Sequence, residues 1–347
     1  MKRLGLFRRK NYSELIQAAS FISEQQETSG ALHGYRWMHL KCIQKGLKIP
    51  RDTVYGLMKV LDPIGMNLRL RRRLTRRKYR SRGPNFVWHI DGYDKLKPYG
   101  IAIHGCIDGY SRLILWLEAA STNNDPKVVA NYFINAVKER GGCPSRVRAD
   151  LGTENVYIAN IQHFLRRNQN DEFSGERSFL PGKSTQNQRI EWFWGLLRKE
   201  MAQFYIDLFK NLERDGNDFF CGDLIDKSIL QFCFMNIIQI NLDDVRNVWN
   251  THRLQSHDKN DGGGQRPMML YNLPHLYGTT DHLCRVEDDE VQICEEETTP
   301  KVSCGDETVS ELCSLFMEEN HISTPSSVIE ANELYKRLRE MIRFELE

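Results

Sequence analysis

The sequence predicts an α/β protein in which a mixed β-sheet is flanked by helices and preceded by a small α-helical region. Apolar runs of strand length follow one another between residues 86 and 118, and a helix and a further strand come next. Before residue 65, in contrast, apolar residues recur at the three- and four-residue spacing of helices. Helices that alternate with strands pack against the faces of a sheet, which gives the layered α/β class.

The composition is that of an ordinary soluble globular protein, with 40% hydrophobic and 27% charged residues among 347. No stretch approaches the ~20 apolar residues of a transmembrane helix, and the basic start lacks the apolar core of a secretory signal. We therefore expect no membrane association. The nine cysteines include no Cys-x-x-Cys pair, which argues against a disulfide framework or a zinc site and favours a reducing compartment.

Charge is distributed unevenly, although the net charge is only +2. Residues 1–80 contain 19 Lys and Arg against 5 Asp and Glu, whereas residues 285–320 contain 2 against 12. The basic end predicts a polyanionic partner, and the acidic segment is typical of a solvated tail.

Three helices are predicted in the N-terminal region. The first covers about 11–29, and the second ends at Gly46, which is placed as a C-terminal stop. Pro50 can occupy the first turn of the third helix, over 51–61. The expected apolar stripe of the second helix comprises Trp37, Leu40 and Ile43.

Two short helices joined by a tight glycine-containing turn form a helix-turn-helix. The region resembles the helix-turn-helix that precedes the integrase core in many bacterial transposases, where a Gly-Tyr-Arg element like that at 34–36 comes before the helical pair. The resemblance implies that the second helix of the pair enters the DNA major groove and presents Arg51 and Lys59. A plain helical pair that only packs on the core is the alternative.

Residues 65–84 form a basic linker. Its arginines include Arg71, Arg72, Arg73, Arg76 and Arg77. Such a stretch neutralises DNA phosphates and has the composition of a nuclear import signal, while a solvated linker is the alternative. We therefore predict DNA as the polyanionic partner and the nucleus as the location, with the cytoplasm as second choice.

The elements expected after the linker are strands at 86–92, 99–108, 111–118 and 145–150 and helices at 125–140 and 158–167. An Asp-Gly pair at 108–109 is a hairpin turn signal between the second and third strands. Asp125 and Pro126 suit the cap and the first turn of the helix that follows.

Three acidic residues lie in three different settings. Asp91 is in an apolar strand, Asp150 ends the fourth strand, and Glu191 opens a run with helical spacing. Because 58 residues separate the first pair and 40 the second, only the fold can bring them together. Hard cations take carboxylate oxygens, so the three form a candidate metal site. His89 shares the strand face of Asp91 and either touches that site or is an ordinary packed or surface histidine.

The order of three strands, a helix and a fourth strand, with acids on the first and fourth, resembles the RNase H-like fold. The stretches 108–112, 150–154 and 186–191 resemble elements of retroviral-type integrases and DDE transposases. This resemblance covers about 84–275. A segment at 250–257 also loosely resembles the Asn-x-x-Arg-x-His element near the end of transposase cores.

The resemblance implies a polynucleotidyl transferase that uses two divalent ions, Mg²⁺ or Mn²⁺, for DNA 3′-end cleavage and strand transfer. Asp91, Asp150 and Glu191 would be its catalytic and metal-binding residues, with Asp91 bridging both ions. Because integrases hold two DNA ends at once, a homo-oligomer is implied, and no small-molecule cofactor is expected.

The resemblance also implies DNA contacts near the catalytic glutamate. The polar stretch 179–187 resembles the flexible catalytic loop of integrases, in which Lys183 and Asn187 would contact phosphate or base; a plain surface loop is the alternative. Arg198 keeps the positive charge that family members usually carry as Lys. Trp194 stands where they usually carry Asn, so a stacking group replaces a polar one.

The predicted organisation is a helix-turn-helix region at 1–64, the basic linker at 65–84, a catalytic core at 85–275 and an acidic tail at 276–347 with a terminal helix. Two other functions fit these observations. One is a domesticated, transposon-derived protein that binds nucleic acid without catalysis, and the other is an RNase H-like nuclease that only hydrolyses.

Overall fold

The computed structural model describes residues 11–27, 33–71, 79, 81–214, 219–254 and 264–346, with the backbone alone at 68–71, 214 and 346. The chain divides into two compact units, Met1–Tyr79 and Arg80–Glu347, and each has hydrophobic clusters of its own. Among the described helices, none combines the length and the apolar composition that crossing a bilayer requires.

The helices described in the first unit are α1 (Leu15–Gln26), α2 (Tyr35–Gln44), α3 (Arg51–Leu61) and α4 (Pro63–Arg71). The predicted helical pair is confirmed as α2 and α3, and α3 has the predicted bounds. Gly46 follows α2 with a φ of 86°, a left-handed conformation that glycine adopts without steric cost. Whether this pair acts as a DNA-reading helix-turn-helix stays a prediction.

The apolar face that α2 buries differs from the predicted one. Met38 and Cys42 are fully buried in the cluster shared with α1 and α3, whereas Trp37, Leu40 and Ile43 are each more than half exposed. The predicted stripe is wrong because apolar residues lie on both sides of this helix. Neighbouring positions differ by about 100° around the axis, so spacing alone does not select the buried side.

The second unit is built on a five-stranded sheet. Its strands are β1 (Val87–Tyr93), β2 (Ala102–Asp108), β3 (Ile114–Ala120), β4 (Arg146–Asp150) and β5 (Phe179–Gly182). They lie in the order β3-β2-β1-β4-β5. The first three are antiparallel, and β4 runs parallel to both β1 and β5. This mixed sheet flanked by helices confirms the RNase H-like α/β class.

One face of the sheet is covered by α5 (Pro126–Arg140) and α6 (Val156–Leu165). The carboxylate of Asp125 accepts a hydrogen bond from the backbone N–H of Lys127 at 2.9 Å, and Gly141 ends α5 in a left-handed conformation. The predicted start and stop of this helix are thus confirmed. Trp88 and Ile90 of β1 point into this core layer, so the alternate residues of β1 face the other side.

The other side carries α7 (Gln188–Leu197), α8 (Gln203–Arg214) and α9 (Leu224–Thr251), followed by α10 (Pro267–Asn272). A π-helical turn at Arg198–Ala202 joins α7 to α8. Near the end of α9, the Asn250 amide accepts a hydrogen bond from the Ile114 backbone N–H at 2.8 Å and donates one to its carbonyl at 3.0 Å. Asn250 therefore pairs with the outer edge of β3, while His257 lies outside the described residues.

The acidic C-terminal segment contains α11 (Asp288–Glu296), α12 (Glu307–Glu319) and α13 (Val328–Leu346). The predicted terminal helix is confirmed as α13, but the expectation of a solvated tail is wrong. Cys313, Tyr335 and Leu338 are fully buried in one cluster with residues of α9, and α11 packs against α5. Apolar residues at helical spacing supply inner faces to these helices, while the acidic residues that dominate the composition lie mostly on the outer faces.

This packing predicts that α13 stabilises the second unit. Leu338→Ala is expected to lower the free energy of unfolding by about 2–5 kcal/mol, the usual cost of a buried leucine. Ile329→Ala, on the same helix at a side chain 73% exposed, should change it by less than about 0.5 kcal/mol. Urea unfolding followed by circular dichroism measures both, and equal stability of the two variants would contradict the packing of α13.

Candidate active site

Asp91 and Asp150 lie side by side on neighbouring strands. In the parallel pairing of β1 with β4, Val87 is opposite Arg146 and His89 is opposite Arg148. Two residues further along this register, Asp91 is level with Asp150. Residues in register on parallel strands point to the same face of a sheet, so both carboxylates face the side that carries α7.

Glu191 lies in the first turn of α7, which packs against β1 and β2. Ile190, Phe193 and Leu197 are fully buried and anchor the helix, while Glu191 itself is exposed. The carboxylate oxygens of the three acids do not all lie within 4.8 Å of one another, which is wider than a single shared ion would require.

The pKa of Asp91 is raised to about 7. Burial is the main cause, a hydrogen bond from Trp194 opposes it, and the negative charges of Glu191 and Asp150 raise the pKa further. The fold thus brings the three predicted carboxylates within electrostatic reach of one another. Within the described part of the chain, no lysine or arginine forms an ion pair with any of them.

Asn155 is a site residue that the sequence did not single out. It is buried, and its Nδ2 donates to Asp150 Oδ1 at 2.9 Å and to Glu154 Oε1 at 3.1 Å. A weaker bond from the Gly152 backbone N–H also reaches Asp150, at 3.3 Å. The amide therefore fixes the orientation of Asp150, and it ties a further carboxylate, Glu154, to the same end of β4.

Trp194 is directed at Asp91. Its indole Nε1 donates to Asp91 Oδ2 at 2.8 Å, and its ring is 6% exposed and lies 5.4 Å from the ring of Tyr93. Gly105 of β2 is the partner of Asp91 in the antiparallel register. A Cβ at Gly105 would lie 2.8 Å from Trp194 Cη2, so the glycine provides the space that the indole fills.

Asn187 is bonded within the protein, and its predicted contact with DNA stays a prediction. It is 1% exposed, its Oδ1 accepts from His89 Nδ1 at 2.7 Å, and its Nδ2 donates to the Ile90 carbonyl at 2.7 Å. Burial lowers the pKa of His89 to about 3, so this histidine is a neutral packed residue. The Asn187 amide thus bonds two residues of β1, His89 and Ile90, and these two hydrogen bonds join the start of α7 to β1.

The stretch 179–187, predicted as a loop, contains regular secondary structure. Residues Phe179–Gly182 form β5, and a 3₁₀ turn follows at Ser184–Gln186. Gly182 pairs with Asp150, which places the exposed Lys183 directly after the strand end beside the acids. Spacing did not reveal β5 because the strand is only four residues long and contains both a proline and a glycine.

The other predicted DNA contacts lie in several settings. Arg198 is exposed at the end of α7, and its Nε donates to Gln203 Oε1 at 3.1 Å. Arg51 and Lys59 are exposed on α3 of the first unit. Outside the described residues, or without a described side chain, are Arg71, Arg72, Arg73, Arg76 and Arg77.

The stretch 108–112, with its Asp-Gly-Tyr-Ser-Arg sequence, has a structural role. The carboxylate of Asp108 is fully buried and accepts hydrogen bonds from the backbone N–H groups of Asn85, Tyr110 and Ser111 and from the Ser111 hydroxyl, at 2.7–3.1 Å. Burial raises the pKa of Asp108 to about 6 while these bonds oppose the rise. This stretch shapes the turn between β2 and β3.

A second cluster of candidate ligands, Cys221, Asp223 and Asp226, has ligand atoms within 4.8 Å of one another. Arginines of α13 already pair with both carboxylates. Arg343 pairs with Asp223, and Arg339 Nε lies 2.8 Å from Asp226 Oδ1. The cluster therefore joins α13 to the start of α9.

The comparison with known families identifies the region that contains the sheet. The family model described as Integrase core domain matches residues 78–273, which covers all five strands and the three carboxylates. No curated relative matches the chain significantly. Because the matched region is more than half of the chain, this protein belongs to the Integrase core domain family.

Proposed function

We propose that this protein is a DNA strand-transfer enzyme that cleaves DNA 3′ ends and joins them to a target strand with the help of two divalent ions. The family supports the broader class of polynucleotidyl transferases and supports DNA as partner. The observation that carries the proposal is the convergence of Asp91, Asp150 and Glu191 from β1, β4 and α7.

The donor set fits divalent cations. All three groups are carboxylates, the ligands that Mg²⁺ and Mn²⁺ prefer. Burial raises the pKa of Asp91, and the charges of the other two carboxylates raise it further. The oxygens of these carboxylates do not all lie within 4.8 Å of one another, and the three groups would hold a pair of divalent ions, as phosphoryl-transfer enzymes commonly do. When bound, such ions activate the attacking oxygen and stabilise the leaving 3′ oxygen.

The protein's own residues orient the reacting groups. Asp91 would bridge the two ions, with Asp150 and Glu191 each holding one, and Asn155 fixes the carboxylate of Asp150 through a 2.9 Å hydrogen bond. The exposed Lys183 lies next to the strand ends. Its ammonium group would hold a phosphate of the DNA strand near the acids.

We propose that exposed basic residues away from the three carboxylates also contact DNA. Arg198 at the end of α7 and Arg51 and Lys59 on α3 offer exposed positive charge, and the basic linker 65–84 adds more. We propose that the protein acts in the nucleus, because of that linker, and as a homo-oligomer, because strand transfer joins two ends at one time.

A strand-transfer assay tests the proposal. Purified protein, end-labelled DNA and Mn²⁺ or Mg²⁺ are expected to give nicked and joined products, and Asp150→Asn should reduce both by at least about 100-fold, since even indirect metal partners cost 10–100-fold. Asp289→Asn, an exposed carboxylate of α11, should retain activity.

Each outcome selects one function. Equal backgrounds from the wild type and Asp150→Asn would reject catalysis and favour a non-catalytic nucleic-acid-binding protein. Cleavage that depends on Asp150 but never leads to joined strands would favour the nuclease.

The stability of the metal-free protein should depend on pH through the raised pKa of Asp91. With a pKa of about 7 in the folded state against a usual 3.8, Asp91 binds a proton on folding between these values, so wild-type stability falls as pH rises from about 4 to about 7. Asp91→Asn lacks this group. In EDTA, the Tm of Asp91→Asn relative to wild type should therefore increase from pH 5 to pH 8. Each kcal/mol that the variant gains in free energy of unfolding relative to wild type corresponds to about 2–4 °C.

Two controls accompany this measurement. The Tm difference of Asp289→Asn should not change between the same two pH values. Adding Mn²⁺ at pH 8 should raise the Tm of the wild type and not that of Asp91→Asn, because a ligand that binds only the folded state stabilises it. If the Tm difference between Asp91→Asn and wild type did not change with pH, the raised pKa of Asp91 in the folded protein would be contradicted.

A further inference from the structure

We propose that Trp194 is a positioning residue for the metal centre. Its indole N–H holds Asp91 in the orientation that lets one carboxylate reach two cations. This inference rests on the proposed function, because it concerns the same carboxylates. It goes further by assigning a role to a residue that touches neither the reacting atoms nor the cations.

The hydrogen bond is well defined, with Trp194 Nε1 2.8 Å from Asp91 Oδ2. The indole of this α7 residue is buried, and the centres of the Tyr93 and Phe193 rings lie 5.4 Å and 5.8 Å from it. An indole N–H can only donate. The carboxylate must therefore present a lone pair of Oδ2 to it, which fixes the rotation of the Asp91 side chain.

The sheet is built to admit this ring. Gly105 faces Asp91 across the β1–β2 pairing, and a Cβ there would meet Trp194 Cη2 at 2.8 Å and Leu117 Cδ1 at 3.2 Å. Glycine inside a strand weakens it and often marks a close approach of another group. Here the group that approaches is the indole, so two residues 89 positions apart jointly set the orientation of Asp91.

The geometry leaves the carboxylate free for cations. A carboxylate has about four lone-pair sites on its two oxygens, and the indole uses one of them. The charges of Asp150 and Glu191 act on Asp91, and no ion pair among the described residues offsets them. A group that orients a metal ligand in this way typically contributes 10–100-fold in metal affinity.

The test measures Mn²⁺ binding to the full chain by electron paramagnetic resonance and calorimetry, with no DNA present. Trp194→Phe keeps an aromatic ring and removes the donor, and its Mn²⁺ affinity should be about 10–100-fold weaker. Trp192→Phe is the matched control, because this tryptophan is two residues away on the same helix, is 57% exposed and should bind Mn²⁺ like the wild type. Gly105→Ala keeps the indole but displaces it, and should also weaken binding.

The Tm of each variant in EDTA shows that it is folded, so a loss of affinity is judged on folded protein. If wild type and Asp150→Asn bind Mn²⁺ equally, the metal centre and this inference are both overturned. If Asp150→Asn weakens binding but Trp194→Phe binds as tightly as the wild type or more tightly, the proposed function stands and the positioning role is rejected.

Discussion

The parallel pairing of β1 with β4 is the constraint on which the site depends. Buried apolar residues fix its register: Trp88 and Ile90 on one strand and Val147 and Ala149 on the other face the same core layer. Because side chains alternate across a strand, this burial directs Asp91 and Asp150 to the opposite face at the same level. A slip of one residue would turn one of the acids into the apolar core. The hydrophobic layer under the sheet therefore decides where the acids meet.

The third acid depends on how α7 is held against that sheet. Apolar residues anchor the helix, but the buried Asn187 fixes its start, because the amide bonds both His89 and the Ile90 carbonyl next to Asp91. A buried amide whose oxygen and nitrogen are both hydrogen-bonded fixes the position of its residue. Moving it away from either partner leaves a buried polar group without a hydrogen bond, which costs about 1–3 kcal/mol. Glu191 follows by one helical turn, so its position depends on this polar contact as well as on the apolar anchors of the helix.

Much of this arrangement follows from the sequence for identifiable reasons. Helix α5 carries its own start and stop signals. The first three strands are mainly apolar runs of adequate length, and the fourth alternates apolar with charged residues. What sequence alone did not reveal are contacts between distant residues. The bond between Trp194 and Asp91 spans 103 positions, and the burial of Asn187 depends on a histidine 98 positions away. Local composition also misled for the acidic segment, where few apolar residues at the right spacing suffice to pack α12 and α13.

Two aspartates of this sheet, the fully buried Asp108 and the half-buried Asp91, show why one is structural and the other is suited to cations. Asp108 accepts four hydrogen bonds from its own turn and the adjoining Asn85 backbone, and its raised pKa comes from burial alone. Asp91 accepts a hydrogen bond from the indole of Trp194, and the charges of two further carboxylates add to the effect of burial on its pKa. The first site is satisfied by neutral donors within the protein. The second gathers negative charge that neutral donors only partly offset, and positively charged ligands would satisfy it. Burial of an aspartate in this sheet is therefore an argument for cation binding only where other acids converge on it.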